Sequence, residues 1–278
     1  MTPSVISAAE PIEFRRLLPA GKPAGAREIV LGLGLHELPP EGAARAHTRA
    51  RPHVLLNMVS TVDGRATLGG RSAPLSDPAD RALFHGLRTV VDAVMAGAGT
   101  VRDERYGPIV PDPDKRRARA ELGLREQPLA CVVSKSLAFP PDLPLLADPD
   151  STVAILTPSP GQLPSTTAAS VDYVRARRPD GSLDLGAALS ELQDRLHVTT
   201  VLCEGGPRLN TELMAGGLVD ELFLSLSPTL AGGDPAGGER APRILAGMEL
   251  ETPARLRLAC ALEHDSRLFL RYSVRPGD

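Results

Sequence analysis

Tryptophan is absent from this sequence of 278 residues, and aromatic residues of all kinds make up only 3% of it. Basic residues are not in excess, because 31 Lys and Arg are set against 34 Asp and Glu, giving a net charge of −3. This balance predicts neither a nucleic-acid partner nor binding to a membrane surface. No apolar run reaches the length of about 18 residues that a transmembrane helix requires. The remaining composition, 42% hydrophobic and 23% charged, is typical of a globular enzyme.

Cysteine is also scarce, with Cys131, Cys203 and Cys260 far apart in the chain. An odd number without CxxC spacing predicts neither a disulfide framework nor a zinc site. Each cysteine lies in an apolar, strand-like run, so we expect buried structural thiols. Residues 1–25 contain acids, Arg and Pro and no apolar core, which is not the pattern of a signal peptide. Together these features predict a protein of the reducing cytoplasm.

The first 50 residues differ in composition from the rest. Residues 1–50 are rich in Ala, Gly and Pro and carry no long periodic pattern, so we expect an arm or loosely structured extension with one short helix near Ile12–Leu18. The folded domain is expected over residues 51–278. Within it, a short basic cluster beside several acids predicts a solvated loop or helix face: Lys115, Arg116, Arg117 and Arg119.

Short apolar runs alternate with helical patterns along this domain. Strands are predicted at residues 53–60, 91–95, 129–133, 152–157, 171–174, 198–203 and 219–227, and helices at about 77–89, 185–196 and 207–215. Two runs in which apolar and polar residues alternate, 254–263 and 267–274, predict an antiparallel hairpin. The alternation indicates an α/β fold with a mostly parallel central sheet, helices on both faces and a C-terminal antiparallel hairpin.

Two glycine turns follow predicted strands. Gly97-Ala98-Gly99-Thr100 comes after one strand, and Glu204-Gly205-Gly206-Pro207 comes after another. Ligands of open α/β sheets bind at the carboxyl ends of the strands, where glycine permits close approach and helix N-termini attract anions. Two such turns suit the two halves of a dinucleotide, although plain turn chemistry explains each one alone. The GxGxxG fingerprint is incomplete, so a standard Rossmann site is not predicted.

A polar side chain interrupts the first strand of the domain. Asn57 has apolar neighbours on both sides, and its amide must be satisfied by a ligand or by neighbouring backbone. Asp63-Gly64, a few residues further on, is a turn signal that leaves open whether Asp63 has a chemical role.

Five segments in this order resemble the reductase family of the riboflavin pathway, the pyrimidine reductase domain: Asn57–Arg65, Arg81–Arg88, Asp92–Val101, Glu204–Leu209 and Leu218–Leu222. The resemblance covers about residues 51–274. It implies a dihydrofolate-reductase-like fold, NADPH as cofactor and a homodimer. The implied activity is that of 5-amino-6-(5-phosphoribosylamino)uracil reductase or the related diaminopyrimidine reductase, with hydride transfer to the ribose C1.

The resemblance also assigns expected roles to individual residues. Those expected along the cofactor are Gly97, Gly99, Thr100, Ser134, Gly205 and Gly206. Those expected in the reactive pocket are Asn57, Asp63 and Glu204. Arg81 matches the family position that reaches the substrate phosphate, a role suited to a guanidinium. Asp103 or Glu104 is expected to supply a carboxylate toward the substrate.

The sequence departs from the family at two points. The Asp-Asp-Pro-x-Leu segment expected after Val101 is replaced by Arg-Asp-Glu-Arg-Tyr-Gly, and the HxE and PCxxC signature of the associated zinc deaminase is absent. Because of the first departure, an alternative is a reductase of the same fold and cofactor that acts on a pterin or a secondary-metabolite imine. A non-catalytic nucleotide-binding scaffold is a further alternative, which the presence of Asn57, Asp63 and Glu204 disfavours.

Overall fold

Eleven strands form one sheet within the part of the chain that the computed structural model describes, residues 12–37, 50–233 and 242–275. The strands are β1 (Glu13–Leu18), β2 (Ala24–Gly25), β3 (His53–Thr61), β4 (Ala93–Gly97), β5 (Leu129–Val133), β6 (Thr152–Leu156), β7 (Ser170–Val174), β8 (Thr200–Cys203), β9 (Glu221–Ser227), β10 (Leu256–His264) and β11 (Arg267–Val274). The helices are α1 (Ala26–Leu31), α2 (Pro78–Leu87), α3 (Ala98–Asp103), α4 (Pro113–Glu121), α5 (Pro144–Ala147), α6 (Leu185–Leu196) and α7 (Pro207–Ala215).

The sheet has a parallel part and an antiparallel part. Its order is β2-β1-β10-β11-β9-β3-β8-β4-β5-β6-β7, and every pairing from β9 to β7 is parallel. The pairings from β2 to β9 are antiparallel, and β10 with β11 forms the hairpin expected at the end of the domain. The predicted α/β fold with its mostly parallel sheet is therefore confirmed.

Side chains along the parallel strands point alternately to the two faces of the sheet, and each face has its own hydrophobic core. Val54 and Leu56 of β3 pack with α6 and α7, whereas Leu55 packs with α2, α3 and α5 on the opposite face. Since side chains alternate along a strand, Asn57 lies on the α2 side with Leu55. By the same rule, Glu204 at the end of β8 follows Leu202 to the α2 side. Helices on both faces thus leave these two polar groups facing α2.

Helix α2 is fixed at both ends. The carboxylate of Asp77 caps it by accepting from the backbone N–H of Asp80 at 2.7 Å, as predicted, and also accepts from Arg267 Nε at 2.9 Å. At the other end, Arg119 Nη1 donates to the carbonyl oxygens of Arg88 and Val91 at 2.7 and 2.8 Å. Arg119 is fully buried, so the solvated face predicted for its cluster is wrong at this residue. Its carbonyl partners lie in other elements, beyond the reach of a local charge pattern.

The helix predicted near Ile12–Leu18 is wrong, because Glu13–Leu18 is strand β1. It pairs antiparallel with β10, and the Phe14 ring packs edge-on against Phe269 with centroids 5.2 Å apart. A strand whose burial comes from a distant partner carries little periodic signal of its own. Residues 1–11 and 38–49 of the predicted extension lie outside the described residues, and the domain division at residue 50 stays a prediction.

Two of the three cysteines have buried thiols, as expected. Cys131 and Cys203 are buried, and burial raises the pKa of Cys203 to about 12, which suits a structural thiol. Cys260 is only half-buried. None of the helices in the described ranges combines the length and the apolar character needed to cross a membrane. The cytoplasmic location stays a prediction.

Candidate active site

The two predicted glycine turns meet at the carboxyl edge of the sheet. The backbone N–H of Gly97 donates to the carbonyl oxygen of Gly205 at 2.7 Å, and that of Glu204 donates to Met95 at 2.9 Å. Strands β4 and β8 are parallel neighbours, so the turns that follow them lie side by side. The pattern of two glycine turns at one edge of the sheet is thus present in three dimensions.

Close packing requires glycine in the second turn and leaves space beside the first. A Cβ atom on Gly206 would lie 2.8 Å from Thr100 Oγ1, closer than real Cβ contacts allow, and Gly205 has a φ of +93° that side chains rarely adopt. A Cβ atom on Gly99 would meet nothing within 4 Å. The backbone at Gly99 is therefore open to a ligand, at the start of the helix that carries Thr100.

An ion pair with a third partner lies beside these turns. Arg88 binds Glu204 through two bonds, Nε to Oε1 and Nη2 to Oε2, each 2.7 Å long. The Tyr106 hydroxyl donates to Glu204 Oε2 at 2.5 Å. Arg88 also stacks on the Phe84 ring, with its central carbon 4.3 Å from the ring centroid. Paired Arg–carboxylate bonds of this kind are directional, so the Glu204 carboxylate has a fixed orientation.

Burial and mutual charge shift the pKa values of the two partners of Glu204. Burial works to lower the pKa of Arg88, but the charge of Glu204 and its hydrogen bonds outweigh burial and raise that pKa overall. Burial first, and then the negative charge of Glu204, raise the pKa of Tyr106 well above its usual value. At neutral pH Arg88 is therefore a cation and Tyr106 a neutral donor.

A cavity of about 270 Å³ opens in front of this group. Its polar and charged lining residues are Asn57, Ser72, Ser76, Asp80, Arg81, His85, Arg88, Thr100, Glu104, Tyr106 and Glu204. Several of them come from one face of α2, where residues three or four apart are neighbours. Burial first, and then the nearby charges of Arg88 and Lys115, lower the pKa of His85 below its usual value. His85 is therefore a neutral imidazole in this wall at pH 7.

Five of the predicted site residues share this cavity: Asn57, Arg81, Thr100, Glu104 and Glu204. Arg81 is exposed and, among the described residues, donates to the carbonyl oxygen of Ser76 at 3.3 Å. Glu104 accepts from the hydroxyl of Ser72 at 2.9 Å. Their role toward a substrate stays a prediction, but their common location agrees with it.

Asp63 lies elsewhere, next to the backbone of residues 231–232. Its carboxylate accepts from the backbone N–H groups of Ala231 and Gly232 at 3.1 and 2.7 Å and from the Thr61 hydroxyl. The Thr61 bond, followed by the bond from Gly232, lowers the pKa of Asp63 to about 2. Asp63 is exposed and is not part of the cavity wall. These contacts tie Asp63 to the backbone of Ala231 and Gly232, and its catalytic role stays a prediction.

The other predicted residues outside the cavity wall are Asp103, Ser134 and the four glycines of the two turns, Gly97, Gly99, Gly205 and Gly206. Asp103 is exposed at the end of α3. Ser134 is buried just after β5, where its hydroxyl accepts from the backbone N–H of Leu137 at 3.0 Å. Ser134 thus shapes the turn after β5 through a bond within the protein. A role of this turn toward the cofactor stays a prediction.

Sequence reasoning gave no role to Arg88, Tyr106 or His85. A signal existed for two of them, because Arg81, His85 and Arg88 follow one another at helical spacing on a predicted helix. Tyr106 had no such signal, since its contact with Glu204 joins positions 98 residues apart.

Comparisons with known proteins identify the family to which this domain is similar. The RibD C-terminal domain family matches residues 52–264. The 2,5-diamino-6-ribosylamino-4(3H)-pyrimidinone 5′-phosphate reductase of Methanothermobacter thermautotrophicus is 31% identical over 192 residues, 67% of this chain and 82% of that protein. The riboflavin biosynthesis protein RibD of Mycobacterium tuberculosis is 30% identical over 184 residues, 66% of this chain but only 44% of that longer protein.

A solved structure shares the fold along most of the chain. A pyrimidine reductase-like protein from Corynebacterium diphtheriae superposes with a TM-score of 0.71 at 24% identity, covering 91% of this chain and all of its own. The match of the domain family to residues 52–264 settles the relationship. This chain belongs to the RibD C-terminal domain family, the pyrimidine reductases of riboflavin biosynthesis.

Proposed function

We propose that this chain is an NADPH-dependent reductase of a pyrimidine ribosylamino phosphate, with hydride transfer to the ribose C1. The observation that carries the proposal is the single cavity between the α2 face and the end of β8, where the Arg88–Glu204 pair lies beside two adjoining glycine turns. The first turn supplies open backbone for a cofactor, and the cavity supplies both a fixed carboxylate and an exposed cation, Arg81, for a substrate.

The glycine turns fit a nicotinamide dinucleotide. The open space beside Gly99 and the start of α7 directly after Gly206 would hold its phosphates, because backbone N–H groups at a helix start attract anions. The cofactor supplies the hydride, and the protein supplies orientation and electrostatics. NADPH rather than NADH is our specific proposal, on the expectation that Ser134 and Lys135 lie near the 2′-phosphate.

The polar lining of the cavity fits a phosphorylated pyrimidine. Arg81 is an exposed cation at one side, suited to a phosphate, while Glu204 at the other side is held as an acceptor for substrate N–H or O–H groups. Glu204 also places a negative charge where a cationic imine at C1 would be stabilised. The substrates named for the relatives, phosphorylated diaminopyrimidines, have both kinds of group.

Calorimetric titration with NADPH and, separately, with NADH tests the cofactor. Micromolar binding of NADPH and much weaker binding of NADH is the expected result, and binding of neither would overturn the assignment. NADPH consumption is then followed with 5-amino-6-(5-phosphoribosylamino)uracil and with its 2,5-diaminopyrimidinone counterpart. Turnover of one of these substrates, and loss of turnover when the phosphate is removed, would support the proposal.

The alternative is a reductase of the same fold that acts on another substrate. Tyr106 favours it, since this residue lies in the segment where the family pattern is lost and its side chain borders the cavity. NADPH binding without turnover of either pyrimidine would favour this alternative. NADPH binding without turnover of any imine, pterin or pyrimidine would favour a scaffold.

We also propose that two copies of the chain form a homodimer through the outer antiparallel strands. Leu17 and Leu18 of β1 and Leu256 and Leu258 of β10 are 39–43% exposed, although β1 and β10 are neighbouring strands of the sheet. Large apolar side chains exposed on neighbouring strands are a feature of interaction surfaces. Sedimentation of the wild type and of Leu258→Lys tests the proposal, with a dimer expected for the first and a monomer for the second.

A further inference from the structure

Tyr106 makes a contact to the active-site carboxylate that the family resemblance did not predict. Its segment replaces the Asp-Asp-Pro-x-Leu pattern, and its hydroxyl reaches Glu204 Oε2 at 2.5 Å. The two residues belong to different elements, since Tyr106 follows α3 and Glu204 follows β8. The contact is therefore a property of this fold and this sequence together.

Counting hydrogen bonds shows what this contact does to Glu204. An ionised carboxylate has about four acceptor positions, two on each oxygen. Oε2 accepts from both Arg88 Nη2 and Tyr106, whereas Oε1 accepts from Arg88 Nε among the described residues. Oε2 is thus saturated, and Oε1 keeps one acceptor position for a group in the cavity.

The backbone around Tyr106 holds the side chain in this position. The N–H of Tyr106 donates to the carbonyl oxygen of Val101 at 3.0 Å, and its own carbonyl accepts from the N–H of Leu145 at 2.8 Å. The preceding residue, Arg105, has a φ of +47°, and this left-handed turn redirects the chain after α3. Arg88 adds a contact to the ring, with its central carbon 5.6 Å from the centroid.

We propose that Tyr106 is a positioning residue, which occupies the second acceptor position on Oε2 of Glu204 so that the carboxylate accepts a single hydrogen bond from the substrate, through Oε1. This inference rests on the proposed function in that it places the substrate in the same cavity. Its consequence is that Glu204 binds one donor group of the substrate and not two, because Arg88 and Tyr106 fill the other three acceptor positions.

A spectroscopic titration tests the hydrogen bond itself. The chain has three tyrosines and no tryptophan, so its near-ultraviolet tyrosinate signal is free of indole absorbance. The component that Tyr106→Phe removes should titrate well above pH 10, and Glu204→Gln should move that component to lower pH. Loss of an ordinary component near pH 10, or no response to Glu204→Gln, would refute the contact.

Kinetics link the contact to the reaction. In Tyr106→Phe, kcat should fall roughly tenfold while KM for the pyrimidine changes less than twofold, since the carboxylate loses one of the three hydrogen bonds that orient it during hydride transfer. The loss should disappear in a Glu204→Gln background, and an additive loss would contradict a role through Glu204. If the wild type turns over no pyrimidine, the proposed function fails, whereas the titration experiment still decides whether Tyr106 is bonded to Glu204.

Discussion

Two arginine–glutamate pairs lie at opposite ends of the central strands and have the same local geometry. Arg88 binds Glu204 after the carboxyl end of β8, and Arg271 binds Glu221 at the start of β9. In each pair Nε and Nη2 donate to separate oxygens at 2.7 Å. Hydrogen-bond geometry alone therefore does not distinguish them.

Their surroundings differ. Glu204 borders the cavity and receives a third bond from Tyr106, whereas Glu221 lies outside the cavity wall with His53 Nε2 3.5 Å away. Glu204 thus borders space for a ligand, whereas the groups beside Glu221 are the side chains of Arg271 and His53. The comparison teaches that accessible space next to an ion pair, and not the pair itself, distinguishes the carboxylate for which we propose a role in the reaction.

The strongest test of this difference exchanges each glutamate for its neutral isostere. Glu204→Gln should lower kcat roughly 10²–10³-fold, because a fixed charge beside the reacting carbon is lost. Glu221→Gln should leave kcat within twofold and lower the free energy of unfolding by about 3–5 kcal/mol, because Arg271 loses its charged partner. Steady-state kinetics and urea unfolding of both variants measure this. Similar losses of kcat in the two variants would abolish the distinction.

Acid unfolding should report on Glu221. Burial works to raise its pKa, but the hydrogen bonds of His53 and Arg271 outweigh burial and lower it to about 2 from its usual 4.5. A lowered folded-state pKa means that the stabilisation is complete above pH 4.5 and is lost as the pH falls from 4.5 toward 2. The expected loss is about 3 kcal/mol, and it should be absent in Glu221→Gln. An unchanged pH slope in that variant would contradict the assignment.

The smallest effect is expected at Arg81, which differs from Arg88 and Arg271 because it donates to a backbone carbonyl oxygen and not to a glutamate. Arg81→Ala should raise KM for a phosphorylated substrate, by an amount that corresponds to about 1.5–3 kcal/mol of binding free energy, because a charge-assisted bond to the phosphate is lost. The value of kcat should change little. Arg102→Ala, an exposed arginine of α3 outside the cavity wall, is the matched control. Equal KM values for Arg81→Ala and the wild type would remove Arg81 from the substrate site.

The sequence predicted the elements whose signals are local. Helix α6 was predicted with its observed bounds, and the glycine turns after β4 and β8 were expected as a pair. What it missed depends on distant partners. Strand β1 takes its structure from β10, and the buried Arg119 donates to carbonyl oxygens of Arg88 and Val91, which lie about 30 residues earlier in the chain. Tyr106 was missed for the same reason, since no spacing along the chain connects it to Glu204.

The charged anchors at both ends of α2 have a thermodynamic consequence. Asp77 with Arg267 holds its first turn, and Arg119 holds the carbonyl oxygen of Arg88 just after its last turn. The helix that presents Arg81, His85 and Arg88 is therefore ordered before any ligand arrives, so that little conformational entropy is lost on binding. Amide hydrogen exchange along α2 should accordingly be slow in the free protein and change little when a ligand enters the cavity.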